Sequence, residues 1–126
     1  MIEALFNTPN FLAASQMLKA TEMQESAIAS NMAHALTPNY KRVQVNTSFT
    51  EALHEAVRSQ NLDQIKGLSA TLEEDPTAVT SRLDGNNVTM EKEMIQLMQN
   101  SVDHAVEVQL LTGNLTRLRM AITGRS

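Results

Sequence analysis

The chain has 126 residues, a length that suits one ordinary domain, and 42% of them are hydrophobic, which excludes a chain that is disordered by composition. Aromatic residues make up only 3%, so a core must be built from aliphatic side chains and eight methionines, which favours helix packed on helix. A net charge of −4 argues against nucleic acid as a partner, and the absence of cysteine excludes disulfides and thiol chemistry.

The first predicted element is a helix over residues 9–36. Pro9 suits the first turn of a helix, where its missing N–H costs nothing, and Thr8 can cap it. Three larger apolar residues recur at helical spacing among small alanines: Leu18, Ile28 and Met32. The apolar stripe of this helix is therefore thin. Pro38 disfavours helical backbone at the residue before it, so the helix should end by Leu36.

An extended stretch is predicted after the Pro38-Asn39 turn, because apolar and polar residues then alternate. The residues that share one face are Val43, Val45, Thr47 and Phe49. Farther along, "SFTEALHEAVRSQ" predicts a short helix capped by Ser48 or Thr50. The stretch "GLSATLEEDPTAVTSRLDG" is polar and predicts a loop or short strands, with the acidic cluster at 73–75 exposed to solvent.

A single helix is predicted from Thr89 to about Ile122, with Thr89 as its cap. The positions of its seam step by three and four, the period of a coiled coil: Met94, Leu97, Ser101, His104, Val108, Leu111, Leu115, Leu118 and Ile122. Further apolar residues widen the stripe: Ile95, Met98, Val102, Val106 and Leu110. One helix cannot bury so much apolar surface, so it needs the first helix and neighbouring chains.

We therefore expect an assembly interface in which both terminal helices take part. Its expected residues are Leu18, Ile28, Met32, Met94, Leu97, Val108, Leu111, Leu115, Leu118 and Ile122.

No catalytic or metal-binding pattern stands out in the sequence. His104 and Glu107 are three residues apart on the predicted helix, but no second pair supplies the three or four ligands that a metal site needs. His104 is better explained as a polar residue within the helix seam. No glycine-rich phosphate loop occurs. We predict a protein that is not an enzyme and that uses no cofactor, metal or small-molecule substrate.

The stretch "ASNMAHALTPNYKR" (residues 29–42) resembles the amino-terminal signature shared by bacterial flagellar rod and hook proteins. The matching positions are Asn31, Ala33, Thr37, Pro38, Tyr40 and Lys41. The departures are His34 and Leu36, where the family has asparagine, and Asn39, where it has glycine. Asparagine accepts left-handed backbone geometry as glycine does, so the last change is chemically mild.

The stretch "DGNNVTMEKEM" (residues 84–94) resembles the junction before the carboxy-terminal helix of the proximal rod type. Only Thr89 departs from that pattern. The matching positions are Asp84, Gly85, Asn86, Asn87, Val88, Glu91, Glu93 and Met94. The two stretches together, with the short chain, resemble the bacterial flagellar basal-body rod family and point to its proximal members.

This resemblance implies a mainly α fold in which two long amphipathic helices, in segments 1–36 and 89–126, pair as a coiled-coil-like bundle. Segment 37–88 would be a small extended and irregular middle. The implied function is that of a structural subunit that self-assembles into the rod, the drive shaft for motility. The implied partners are other copies of the chain, other rod proteins, the rod-base adapter and the export gate.

The implied location is the periplasmic rod of the flagellar basal body, reached by type III export without a cleaved signal peptide. The sequence agrees, since its start has no basic region, apolar run and small-residue cleavage site. It also has no run of about 18 apolar residues, so no membrane-spanning helix is predicted. Two alternatives stay open: another rod or adapter subunit, and a cytoplasmic helical secretion chaperone that binds export substrates through the same stripes.

Overall fold

The computed structural model describes residues 8–80 and 82–124, and it confirms the mainly α fold with two long helices near the ends of the chain. Helix α1 spans Pro9–Ala33 and helix α4 spans Met90–Thr123, and the two pack side by side in opposite directions. Between them lie strand β1 (Val43–Val45), helix α2 (Thr47–Arg58), helix α3 (Leu62–Gly67) and strand β2 (Leu72–Glu74). The first seven residues of the predicted segment 1–36 lie outside the described residues.

Helix α1 begins as its sequence predicts. The Oγ1 atom of Thr8 accepts a hydrogen bond of 3.2 Å from the amide of Phe11, and Pro9 occupies the first turn. The helix ends at Ala33, three residues before Leu36, and a turn follows in which the amide of His34 still donates to the carbonyl of Ser30. The chain thus leaves the helix before it reaches Pro38.

The alternating stretch after the turn is shorter than predicted. Strand β1 ends at Val45, where Asn46 becomes the cap of α2 because its Oδ1 accepts a 2.8 Å bond from the amide of Ser48. The predicted caps Ser48 and Thr50 therefore lie inside α2. Phe49, expected on an extended face, is a buried residue of that helix. The polar cap signal at Asn46 outweighs the alternation that continues past it.

The middle segment contributes most of the apolar core. Helices α2 and α3 pack against α1, and the cluster that they form contains Ala20, Phe49, Leu53, Ala56 and Ile65. Strands β1 and β2 pair in antiparallel fashion, with Val43 opposite Glu74 and Val45 opposite Leu72. This segment is therefore partly helical and well packed, although it is small and joined by irregular turns.

Helix α4 spans Met90–Thr123, about 50 Å at 1.5 Å per residue. Thr89 is its N-cap residue as predicted, but its side chain makes no capping hydrogen bond. The helix ends at Gly124, which has the left-handed φ of 64° that suits a C-terminal glycine. No helix within the described ranges combines the length and apolar character needed to cross a bilayer.

Candidate functional site

The two motif stretches meet at the carboxyl end of α1. We name the contact between residues 37–42 and 84–88 the polar clasp. Asn39 has a φ of 60°, and its amide donates a 2.8 Å hydrogen bond to the carbonyl of Asp84. Gly85 has a φ of 79° and lies so close that a Cβ atom there would sit 2.3 Å from Oδ1 of Asn39. Each of the two segments of the polar clasp therefore turns at a residue that tolerates left-handed backbone.

Asn86 is the buried centre of the polar clasp, with no exposed surface. Its Nδ2 donates to the carbonyls of His34 at 2.8 Å and Thr37 at 2.9 Å, and its Oδ1 accepts from the amide of Val88 at 2.7 Å. The carbonyls at a helix end have no partner inside the helix. Asn86 therefore supplies from 52 residues away a cap that the sequence of α1 itself lacks.

Asn87 and Lys41 complete the polar clasp. Asn87 Oδ1 accepts from the amide of Arg42 at 2.6 Å, and its Nδ2 donates to the carbonyl of Ala78 at 3.2 Å. Lys41 Nζ donates to the carbonyl of Gly85 at 2.6 Å. Both asparagines of the "DGNN" stretch thus hold the other motif stretch in place, which explains why a turn before a helix carries two of them.

Gly85→Ala is expected to lower the free energy of unfolding by about 1–2 kcal/mol, because a Cβ at left-handed φ is strained and collides with Asn39. Chemical denaturation followed by circular dichroism measures this. Adding Asn39→Gly, which removes the colliding oxygen, should recover part of the loss. The matched control is Gly113→Ala in α4, where nothing lies within 4 Å of the new Cβ and a gain of about 0.5–1 kcal/mol is expected. Equal effects at the two glycines would contradict the close approach.

Asn31 joins α1 to the edge of β1, and it too is fully buried. Its Nδ2 donates to the carbonyl of Val43 at 2.8 Å, and its Oδ1 accepts from the amide of the same residue at 2.9 Å. Tyr40 donates from its hydroxyl to Oδ1 of Asn31 at 3.2 Å, while its ring stacks on His34 with centroids 4.6 Å apart. One amide side chain therefore closes the outer edge of the strand that follows the motif.

A buried ion cluster lies beside Asn31. The Nε atom of Arg42 contacts Oε1 of Glu93, and its Nη1 lies 2.9 Å from Oδ2 of Asp75. Glu93 has no exposed surface, and its Oε2 accepts from Asn31 Nδ2 at 3.2 Å. Burial opposes the charge of Asp75, but hydrogen bonds from Thr77 and the Arg42 guanidinium outweigh it, so that the pKa of Asp75 lies below its ordinary value.

Sequence reasoning missed most of this cluster. The prediction that the acidic cluster at 73–75 is exposed to solvent is wrong for Asp75, because its side chain is paired with Arg42. The available signal was the "KR" pair that ends the motif, but nothing local shows which acids it meets.

The other motif residues have peripheral places. Val88, the last residue of the polar clasp, is buried, while Ala33 ends α1 with an exposed side chain. Pro38 is exposed in the turn. Glu91 is exposed in the first turn of α4, where a negative charge suits the dipole. Within residues 8–80 and 82–124, no group of three or more His, Asp or Glu side chains is placed to hold a metal ion.

The seam between α1 and α4 is polar at every seventh residue. The side chains of α4 that are buried or half-buried against α1 are Glu93, Leu97, Asn100, His104, Glu107, Leu111, Asn114 and Leu118, which we name the helix seam. Asn100 Nδ2 donates to the carbonyl of Thr21 at 2.9 Å, and Thr21 Oγ1 lies 3.0 Å from Oε2 of Glu107. The predicted seam shares Leu97, His104, Leu111 and Leu118 with the helix seam. It is one residue late at Met94, Ser101, Val108 and Leu115, and its last position, Ile122, is exposed.

The apolar residues of α4 lie mostly outside the helix seam. We name six of them the apolar stripe: Met94, Ile95, Met98, Val102, Val106 and Leu110. Between 53% and 70% of each side chain is exposed. Each residue turns a helix by about 100°, so Met98 and Val102, two positions from buried Asn100, point away from α1. The apolar stripe therefore has no partner among the described residues.

The expected interface residues divide into three groups. Ile28 is fully buried within the chain. The half-buried group is Leu18, Met32, Leu97, Leu111 and Leu118. The exposed group is Met94, Val108, Leu115 and Ile122. Within this exposed group, Met94 and Ile122 have more than half of their surface free, and Val108 and Leu115 somewhat less.

Comparison with known proteins gives one consistent result. Relatives described as "Flagellar basal body rod protein FlgB" include one from Borrelia hermsii, 31% identical over 110 residues that cover 74% of this chain and 80% of the relative. One from Bacillus subtilis is 26% identical over 85% of this chain and 88% of the relative. One from Aeromonas hydrophila is 26% identical over 85% of this chain and 87% of the relative. No protein-family model matches the chain.

Proposed function

Because the chain belongs to the FlgB family of flagellar basal body rod proteins, we propose that it is a structural subunit of the proximal rod that acts by self-assembly and not by catalysis. The observation that carries this proposal is the apolar stripe on α4. Its six large side chains are more than half exposed and follow one another over four turns of helix. Continuous exposed apolar surface of this kind is typical of a protein interaction site.

The helix seam explains why the apolar stripe needs a partner from outside the chain. Glu93 and Asn100 fix one side of α4 against α1 through hydrogen bonds to Asn31 and the carbonyl of Thr21. Rotating α4 to cover Met98 or Val102 would break these bonds and leave buried polar groups without partners. The helix seam of α4 therefore pairs with α1 through polar contacts, and the apolar stripe on the opposite side serves assembly.

The partners that fit this surface are helices with apolar stripes of their own. We propose that they are other copies of the chain and other rod proteins, with the rod-base adapter and export gate as contacts at the base. The proposed place is the periplasmic rod, reached by export without a cleaved signal. The family name and the unpartnered stripe support these assignments.

The test replaces Met98 and Val102 together by aspartate in a bacterium that depends on this chain for swimming. Two charges on the apolar stripe are expected to abolish incorporation into basal bodies and motility, because each buried charge would lack a partner. Circular dichroism and melting of the purified variant should match the wild type, since both side chains point to solvent. Immunoblots of isolated basal bodies and swimming in soft agar measure the outcome.

The charge-matched control is Gln96→Asp with Ser69→Asp, which adds the same two charges at exposed positions outside the apolar stripe. This control should swim. Normal swimming of the Met98/Val102 variant would refute the proposal. Wild-type chain that stays in the cytoplasm on fractionation would favour the secretion chaperone instead.

A further inference from the structure

Glu107 has a buried carboxyl group in the helix seam, and its contacts depend on whether that group carries a proton. Its Oε2 lies 3.0 Å from Oγ1 of Thr21, and the same Oγ1 lies 2.9 Å from the carbonyl oxygen of Leu18. A threonine hydroxyl has a single hydrogen to donate. Both contacts can be full two-centre hydrogen bonds at the same time only if Glu107 carries a proton, donates it to Thr21 and leaves the threonine hydrogen for Leu18.

Among the residues that the structure describes, none forms an ion pair with Glu107. On its own helix, Asp103 and His104 act on it with opposite signs. On α1 the ionisable residues flanking Thr21 are Lys19, Glu22 and Glu25, all exposed, and none forms a salt bridge with it. Burial raises the pKa of Glu107 above its ordinary value, the Thr21 bond and His104 lower it, Asp103 raises it, and the balance is upward.

We propose that Glu107 is protonated when α1 and α4 are paired, and that losing this proton loosens the pair around Thr21, so that pairing weakens as pH rises. The device is independent of the apolar stripe and of any assembly partner. It converts one position of the polar helix seam into a proton-sensitive contact, whereas Asn100, one heptad earlier, gives a contact that does not titrate.

The sign of the effect follows from the direction of the pKa. A carboxyl group whose pKa is raised on pairing contributes stability that is complete below its ordinary pKa of about 4.3 and is lost as pH rises through the raised value. Asp75 acts in the opposite direction, because its lowered pKa contributes stability that is lost as pH falls through that value. The two effects fall in different pH ranges, so a loss of stability on the alkaline side of about pH 4.5 is assigned to Glu107.

The experiment compares thermal unfolding of the full purified chain and of Glu107→Gln from about pH 4.5 to about pH 8. Glutamine is neutral, and its Nε2 can donate to Thr21 at every pH. The wild-type midpoint should fall by several degrees across this range, whereas the variant should stay nearly level and exceed the wild type at the alkaline end. Glu25→Gln, an exposed change on α1, should keep the wild-type slope.

A direct readout is the ¹³C chemical shift of the Glu107 carboxyl, assigned by its loss in Glu107→Gln. Its titration midpoint should lie above the ordinary glutamate value of about 4.3. Parallel melting curves for wild type and Glu107→Gln would overturn the proposal. An ordinary titration midpoint for the Glu107 carboxyl of the wild-type chain would also overturn it. That measurement tests the proposal even if the Glu107→Gln variant does not fold.

Discussion

Arg42→Met is expected to lower the free energy of unfolding by about 3–5 kcal/mol, a large part of the stability of a domain of this size. The guanidinium group is the cation that pairs with Glu93, which has no exposed surface, and with Asp75, whose side chain is 9% exposed. Methionine fills a similar volume but leaves a buried carboxylate without a counter-charge. Urea denaturation near neutral pH, followed by circular dichroism, measures the loss.

Two further variants show whether the charge, and not the packing, is responsible. Combining Arg42→Met with Glu93→Gln removes the buried charge while keeping an amide that can bond to Asn31, so part of the loss should return. Arg58→Met is the control, because Arg58 is an exposed arginine paired with Glu55 in the same helix, and no measurable change is expected. Equal losses from Arg42→Met and Arg58→Met would contradict the role of the buried cluster.

The two long helices could be predicted because their signals are local. Thr8 and Pro9 define the start of α1 within three residues of chain, and the periodic apolar residues of α4 extend over its whole length. Such patterns depend only on the residues of the helix itself. The same reasoning succeeded at Thr89, which precedes α4, although the expected side-chain bond there is not made.

The face of α4 that packs against α1 could not be predicted exactly. The prediction assumed that α1 presents apolar residues to α4, whereas at two of these positions it presents polar ones. The pattern favours Met94 and Val108 as seam positions, whereas α1 presents Asn31 and Thr21 and therefore pairs with their neighbours Glu93 and Glu107. A one-residue change turns the helix by about 100°. Hydrophobic periodicity thus predicted the exposed apolar face of α4 better than it predicted the in-chain contact.

The contacts of the polar clasp and the ion cluster could not be predicted from local sequence patterns either. The motif residues were recognised as two turn-to-helix junctions, but Asn86 contacts His34 across 52 residues and Arg42 contacts Asp75 across 33. A run such as 73–75 looks solvated when it is considered alone. Contacts between polar groups far apart in sequence leave no periodic signal, so only the folded chain shows that the two motifs form one unit.

Polar residues at the helix seam have a physical advantage for a chain with an exposed apolar stripe. An all-apolar seam would let α4 pair with α1 through either of its two apolar sides, at nearly equal free energy. The hydrogen bond that Glu93 accepts from Asn31 and the one that Asn100 donates to Thr21 make one orientation better than the other, as a single buried asparagine fixes register in coiled coils. The apolar stripe is thereby kept on the outside.

Asn31→Leu is the second substitution with a large expected effect, about 2–4 kcal/mol of lost stability, because a leucine of similar size removes every bond of the amide. The amide and carbonyl of Val43 lose their partner at the edge of β1, and Glu93 Oε2 loses a donor. The strand that positions Arg42 is then held from one side only. Denaturation midpoints give the stability, and proteolysis within residues 37–46 should become faster than in the wild type.

Asn100→Leu is the matched control, since it makes the same change on the same seam with a different bonding environment. Asn100 gives one hydrogen bond, to the carbonyl of Thr21, which already has a partner inside α1. Leucine there should be neutral or slightly stabilising, because apolar seam positions favour helix pairing. A loss at Asn31 no greater than that at Asn100 would mean that the edge of β1 is satisfied without the amide. A selective loss at Asn31 would mean that this residue joins α1, the strand and the ion cluster into one cooperative unit.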